Sequence, residues 1–94
     1  MENRYADYIG KIVQITKKNQ KKDTADLVGR VSGEDNLFLE FGKNTYYYSG
    51  NTDGIVVSEI KIAEMGCRIH HNLVQDSGSI MIRDIEKIKI LASD

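Results

Sequence analysis

The clearest hydrophobic pattern lies near the end of the chain, in residues 78–91, which read GSIMIRDIEKIKIL. Ile80 and Ile82 are separated by one residue, and Ile88 and Ile90 repeat that spacing after a short polar step. A period of two residues is typical of a strand with one buried face. The pattern therefore predicts two closing strands, whose isoleucines need earlier strands to form the opposite wall of a core.

Six earlier segments have the β-branched residues or the alternation that is typical of strands. They are residues 11–17, 24–33, 37–41, 45–49 and 55–63, and a more polar segment at 67–74. A short amphipathic helix that ends at Gly10 is predicted before them. Gly29 lies inside the second segment, where a glycine indicates a strong bend or a close backbone approach. Short strands with a turn about every ten residues predict an all-β fold, a small barrel, in one domain that spans 1–94.

Length and composition agree with one small domain. The chain has 94 residues, of which 40% are hydrophobic, and this is near the size at which a single core suffices. Its one cysteine, Cys67, cannot form a disulfide within the chain, which favours a reducing compartment. No apolar run approaches the roughly 18 residues that span a membrane, and the polar start MENRYADY lacks a signal-peptide core. We therefore expect a cytoplasmic protein.

The net charge of −1 conceals an uneven distribution. Residues 1–30 contain seven basic and four acidic residues, a balance of +3, whereas residues 31–94 contain six basic and ten acidic residues, a balance of −4. A protein that binds duplex DNA without sequence preference is expected to have a larger positive excess. Any contact with nucleic acid is therefore expected on a local part of the surface.

Three blocks of the sequence resemble the Sm-like RNA-binding family. YIGKIVQI is similar to the start of the family's first strand, which follows a short helix. GRVSGEDNLFLEF contains Gly29, Asp35 and Asn36 in the family's order, and GSIMIRDIEKIKI contains the motif arginine, Arg83, before spaced isoleucines. The chain differs from the family at three points. Asp35 and Asn36 are adjacent where the family separates them by three residues, Asp84 follows the arginine where the family has glycine, and the final isoleucines are shifted by about one residue.

The resemblance implies a small Sm-like or Src-homology-like β-barrel with a short N-terminal helix and an inserted strand region at about 43–77. It also implies a non-enzymatic module that binds single-stranded RNA and forms a homo-oligomeric ring by strand addition. Strands in the insertion would cover the sheet edges that a ring uses. A monomer or dimer is therefore the alternative.

The resemblance also implies that Asn36 and Arg83 read a base, with Asp35 in the same motif. An asparagine amide offers a donor and an acceptor to a base edge, and a guanidinium stacks on a base or binds phosphate. The alternative is that Asn36 only starts a turn and that Arg83 pairs with a carboxylate on the surface.

Four lysines surround the first predicted loop: Lys17, Lys18, Lys21 and Lys22. They form a candidate contact with the phosphate backbone of RNA, and such a contact weakens as salt rises. The alternative is a solvated hairpin tip without a ligand.

Tyr46 and Tyr48 share one face of the predicted strand at 45–49. An exposed pair of tyrosines stacks on bases or contacts a protein partner. The second functional hypothesis is therefore a protein-interaction or assembly domain that uses this tyrosine face or an exposed strand edge. The alternative is that the tyrosines are ordinary strand residues with half-buried rings.

Catalysis and metal binding are not expected. Cys67, His70 and His71 are close in sequence, but adjacent strand residues point to opposite faces, so at most two of the three converge, and a structural zinc site needs four ligands. No recognised catalytic motif or phosphate-binding glycine loop is present. We therefore expect no enzyme activity, no metal and no cofactor.

Overall fold

The structure, a computed structural model, describes residues 4–19, 25–41, 45–48, 53–66, 73–76 and 78–93. The elements in chain order are a 3-10 helix Arg4–Tyr8, β1 Ile12–Lys17, β2 Asp26–Arg30, β3 Gly33–Glu34, β4 Phe38–Glu40, β5 Thr45–Tyr48, α1 Asp53–Glu64, β6 Leu73–Asp76, β7 Ser79–Met81, a 3-10 turn Ile82–Asp84 and β8 Ile85–Ala92.

The strands form two antiparallel sheets. The first has the order β6-β5-β2-β1-β8, and the second has the order β3-β4-β7. The expectation of an all-β small barrel is confirmed only in part: the described residues are mostly in strands, but the strands form two antiparallel sheets without a closed barrel, and one α-helix lies among them.

The same chain segments contribute to both sheets. Residues 26–34 contribute β2 and β3, and residues 38–48 contribute β4 and β5. In the first sheet β2 pairs with β5, and in the second sheet β3 pairs with β4. Residues 73–81 likewise pair with 38–48 through β6 and β7. Gly29, where a bend is predicted, lies within β2 and pairs with Val13 and Thr45, and residues 31–32 separate β2 from β3. Each of these three segments therefore contributes one strand to each sheet.

The main core contains side chains from both sheets. Its buried members are Val13, Ile15, Leu27, Val31, Leu39, Phe41, Ile80 and Ile85. Val13 and Ile15 share this face of β1, as their alternation predicts, and Leu27 and Val31 share it on the next segment. The predicted burial of one face of these early strands is confirmed.

The predicted short N-terminal helix is present as the 3-10 helix Arg4–Tyr8. Tyr5 and Tyr8 pack against the main core with ring centroids 5.8 Å apart. Gly10 follows the helix with φ of +85°, a conformation that glycine adopts without strain. Its N–H donates to the Val31 carbonyl at 2.8 Å, so the helix end is fixed to the segment after β2.

The predicted strand at 55–63 is wrong, because Asp53–Glu64 is the helix α1. Val56 and Ile60 are four residues apart, so they lie on one face of a helix. They are buried against Ile12, Val28 and Tyr46 on the outer face of the first sheet. Apolar side chains on that face need a cover, and the helix provides it although its β-branched residues favour a strand.

The prediction for the closing strands is also corrected. β7 pairs with β4, whereas β8 pairs with β1, so the two strands belong to different sheets and do not form one ribbon. The turn Ile82–Asp84 connects them. Of the predicted strand at 67–74, the structure describes the part that begins at Leu73, as β6, and residues 67–72 lie outside the described residues.

Candidate functional site

Two backbone hydrogen bonds fix the turn Ile82–Asp84 between two other turns. The Ile82 N–H donates to the Leu37 carbonyl at 2.8 Å, and the Lys18 N–H donates to the Asp84 carbonyl at 2.8 Å. Segments that are far apart in sequence therefore become neighbours. We call this surface, formed by Lys18, residues 35–37 and residues 82–84, the rim.

Asp35 holds the conformation of the turn before β4. Its Oδ1 accepts hydrogen bonds from the N–H groups of Leu37 and Phe38, each at 2.7 Å. Its own N–H donates to the Phe38 carbonyl at 2.9 Å. An aspartate that binds backbone N–H groups two and three residues ahead stabilises a turn. Asp35 is thus a positioning residue, and Asn36 lies at the exposed tip of the turn.

Asn36 and Arg83 are both exposed and lie in adjacent turns. Asn36 precedes Leu37 and Arg83 follows Ile82 in the chain. Leu37 and Ile82 form the hydrogen bond between those turns. Within the described part of the chain, no carboxylate forms an ion pair with Arg83. Leu37 beside them is 63% exposed, which gives the rim one apolar side chain.

Charge at the rim is mixed. Lys18 and Arg83 supply positive charge, and the exposed Asp35 and Asp84 supply negative charge. The register of β1 with β8 places Thr16 opposite Lys87, so a further exposed lysine lies close to the rim. Sequence reasoning missed Lys87, because only the pairing of the first strand with the last brings it here.

The predicted lysine cluster is divided in the structure. Lys18 is exposed, whereas Lys17 is half-buried and its Nζ donates to the Tyr47 hydroxyl at 2.9 Å. The same Nζ lies 5.2 Å from the centroid of the Tyr47 ring. Lys21 and Lys22 lie outside the described residues.

The exposed tyrosine face is wrong for Tyr46. Its side chain is 5% exposed and packs against Val56 and Ile60 of α1, so it belongs to the core on the outer face of the first sheet. Burial and the nearby Glu64 carboxylate raise the pKa of Tyr46. The side chain of Tyr48 lies outside the described part of the structure. Tyr47, which sequence reasoning passed over, packs against the main core instead.

Two other expectations concern sites elsewhere in the chain. Cys67, His70 and His71 lie outside the described residues. The described residues contain no group of three or more histidine, cysteine, aspartate or glutamate side chains arranged to hold a metal ion. Among these residues there is also no helix with the length and apolar character needed to cross a membrane.

Comparison of the chain with protein-family models, with curated proteins and with solved structures gives no match. The resemblance to the Sm-like family rests on the three sequence blocks. Two of these blocks carry Asn36 and Arg83, which lie in the adjacent turns of the rim.

Proposed function

We propose that this chain is a non-enzymatic binding module for single-stranded RNA and that the rim contacts the RNA in an Sm-like manner. The observation that supports this proposal most directly is the pair of hydrogen bonds on either side of Ile82–Asp84. Through them, the turns that carry Asn36, Arg83 and Lys18 adjoin one another although they are distant in sequence.

The side chains of the rim have complementary chemistry for a nucleotide. The Asn36 amide donates and accepts hydrogen bonds at a base edge, and the Arg83 guanidinium stacks on a base or binds phosphate. Lys18 provides a point charge for a neighbouring phosphate. Asp35 contributes indirectly, because it fixes the turn that presents Asn36.

Single-stranded RNA fits this surface better than a duplex does. Sequence-specific RNA recognition uses unpaired bases whose edges and faces are accessible. The basic groups of the rim are few, and the net charge of the chain is −1. Binding to a duplex depends on many phosphate contacts along the helix and therefore on a larger basic surface.

Fluorescence anisotropy with a labelled oligouridylate tests the proposal. We expect saturable binding that weakens linearly in log affinity as log salt rises, and weaker binding to a hairpin duplex of similar length. Asn36→Ala and Arg83→Gln should each reduce affinity about ten-fold, a loss that corresponds to one or two hydrogen bonds to a base. Lys61→Gln on α1 is the control. Absence of binding at low salt, or equal losses in all three variants, would contradict the proposal.

We also propose homo-oligomer formation by strand addition. β8 lies at one edge of the first sheet and β6 at the other, and in the described residues neither has a second strand partner. α1 packs on the outer face of that sheet against Ile12 and Val28. Exposed strand edges accept another strand of this chain.

These open edges also favour the second candidate function, a protein-assembly domain without an RNA ligand. A protein contact through Tyr46 has less support, because Tyr46 is buried. Light scattering with and without oligouridylate separates the two functions. Oligomers that bind no oligouridylate support assembly alone, whereas oligomers that bind it support the RNA proposal. A monomer under both conditions contradicts strand addition.

A further inference from the structure

We infer that Tyr47 and Lys17 form a second nucleotide subsite next to the rim, in which a base stacks on the Tyr47 ring and the Lys17 ammonium binds its phosphate. This inference rests on the proposed RNA-binding function and deepens it. The alternation of side chains along 45–49 predicts that Tyr47 lies on the opposite face from Tyr46 and Tyr48.

The subsite lies beside the rim because of the strand pairing. Lys17 is opposite Ile85 in the register of β1 with β8, and the next residue, Lys18, donates its N–H to Asp84. Tyr47 is opposite Leu27 at the end of β2 that adjoins Lys17. The Lys17 side chain therefore extends from the rim to the ring of Tyr47, and the contact between Nζ and the hydroxyl is 2.9 Å.

The two distances between Lys17 and Tyr47 define where the ammonium lies. Its distance of 5.2 Å from the ring centroid is close to the longest that a 2.9 Å contact with the hydroxyl permits. An ammonium above the ring face would be much closer to the centroid. Nζ therefore lies beyond the hydroxyl end of the ring and covers neither ring face.

The orientation of the ring is also fixed. Tyr47 is half-buried and packs against the main core, so contacts with the core hold its side chain while part of the residue reaches solvent. An aromatic side chain that is already held in one orientation stacks on a base at low entropic cost. The ammonium at the hydroxyl end is well placed for the phosphate of that nucleotide.

This arrangement predicts an RNA strand that occupies the rim and the subsite together. Asn36 and Arg83 would hold one nucleotide, and Tyr47 would stack on the base of a nearby nucleotide in the same strand. Stacking on a tyrosine tolerates every base. The subsite would therefore contribute affinity, whereas base preference would depend on Asn36.

A single tryptophan provides the test, because the chain has none. In Tyr47→Trp, titration with oligouridylate should quench the tryptophan emission with the same midpoint as the anisotropy of the labelled RNA. The matched control is Tyr8→Trp, which packs against the main core from the 3-10 helix near the opposite end of β1. Its emission should not change.

Two further substitutions of Tyr47 test the subsite without introducing a tryptophan. Tyr47→Leu keeps an apolar side chain against the core, and we expect RNA affinity to fall about ten-fold, as for loss of one stacked base. Tyr47→Phe keeps the ring and should bind within about two-fold of the wild type. Equal affinity of the leucine and phenylalanine variants would overturn the subsite.

The outcomes separate the subsite from the proposed function. If the anisotropy of the labelled RNA shows binding but Tyr47→Trp is not quenched, the subsite is wrong and the rim remains the RNA site. If the wild type binds no oligouridylate at low salt, both proposals are wrong. If a protein partner quenches Tyr47→Trp in place of RNA, the surface is a protein interface and the subsite is wrong.

Discussion

Arg30 and Glu64 form a two-bond ion pair between β2 and the last turn of α1. Arg30 Nε donates to Glu64 Oε2 at 2.5 Å, and Nη2 donates to Oε1 at 3.0 Å. Nη1 of the same guanidinium donates to the Gly10 carbonyl at 2.7 Å. One side chain therefore joins the sheet, the helix and the segment after the N-terminal 3-10 helix.

The ion pair should stabilise the docked position of α1. Its side chains are 27% and 21% exposed, so solvent screens the pair, but the paired hydrogen bonds favour it. We expect Arg30→Met and Glu64→Gln each to lower the free energy of unfolding by about 1 kcal/mol. Urea denaturation followed by circular dichroism measures this loss. The exposed Glu86→Gln is the control, and a double variant whose loss equals the sum of the two single losses would contradict direct coupling.

Ile60 and Ile62 provide a test of the helix itself. In a strand the two side chains would share a face, but in α1 Ile60 is fully buried and Ile62 is 40% exposed. Ile60→Ala should therefore cost about 3 kcal/mol of unfolding free energy, whereas Ile62→Ala should cost less than about 1 kcal/mol. Chemical denaturation of the two variants measures the difference. Similar losses would indicate a strand at this position.

The incorrect strand at 55–63 shows where sequence reasoning was limited. Its apolar residues fit both a two-residue and a four-residue spacing, and the β-branched residues favoured a strand. Whether this segment forms a helix or a strand depends on what covers Ile12 and Val28. Alternation places these two residues on the outer face of β1 and β2, but it does not show which element packs against them. By contrast, Val13 and Ile15 were assigned correctly, because alternation within one strand is a local property.

The candidate site was predictable only in its separate parts. Sequence blocks drew attention to Asn36 and Arg83, but the proximity of their turns depends on the hydrogen bond between Leu37 and Ile82. Alternation showed that Tyr46 and Tyr47 lie on opposite faces. It did not show that α1 buries Tyr46, because the helix was not predicted.

Substitutions of Asp35 and Asn36 should have different effects on the stability of the fold and on RNA binding. Asp35→Ala removes the acceptor of the Leu37 and Phe38 N–H groups. Since the turn is exposed, we expect a loss of about 1 kcal/mol in unfolding free energy and weaker RNA binding. Asn36→Ala should leave stability within about 0.5 kcal/mol of the wild type and reduce RNA affinity. Thermal unfolding and anisotropy measure the two effects, and an unstable Asn36→Ala would assign the residue to the turn alone.

Tyr46 should make stability sensitive to alkaline pH. Burial and Glu64 raise its pKa above the ordinary value of 10.0, so the unfolded chain loses the proton first. Its contribution is fully present below the unfolded pKa and is lost as pH rises through the folded pKa. Tyr46→Phe cannot ionise, so its free energy of unfolding should decrease less than that of the wild type between about pH 8 and about pH 11. If urea denaturation shows that the free energies of unfolding of the wild type and of Tyr46→Phe decrease in parallel as pH rises, the pKa of Tyr46 does not change on unfolding.

Lys18 and Arg83 should each account for part of the salt dependence of RNA binding. Each phosphate contact on a single strand contributes about −0.7 to the slope of log affinity against log salt. Lys18→Gln and Arg83→Gln should therefore each make the slope shallower by about 0.7 if each residue binds one phosphate. If Arg83 stacks on a base instead, its substitution should lower affinity at every salt concentration and leave the slope unchanged. Lys61→Gln on α1 should alter neither quantity, and an unchanged slope and affinity for Lys18→Gln would remove this residue from the RNA contact.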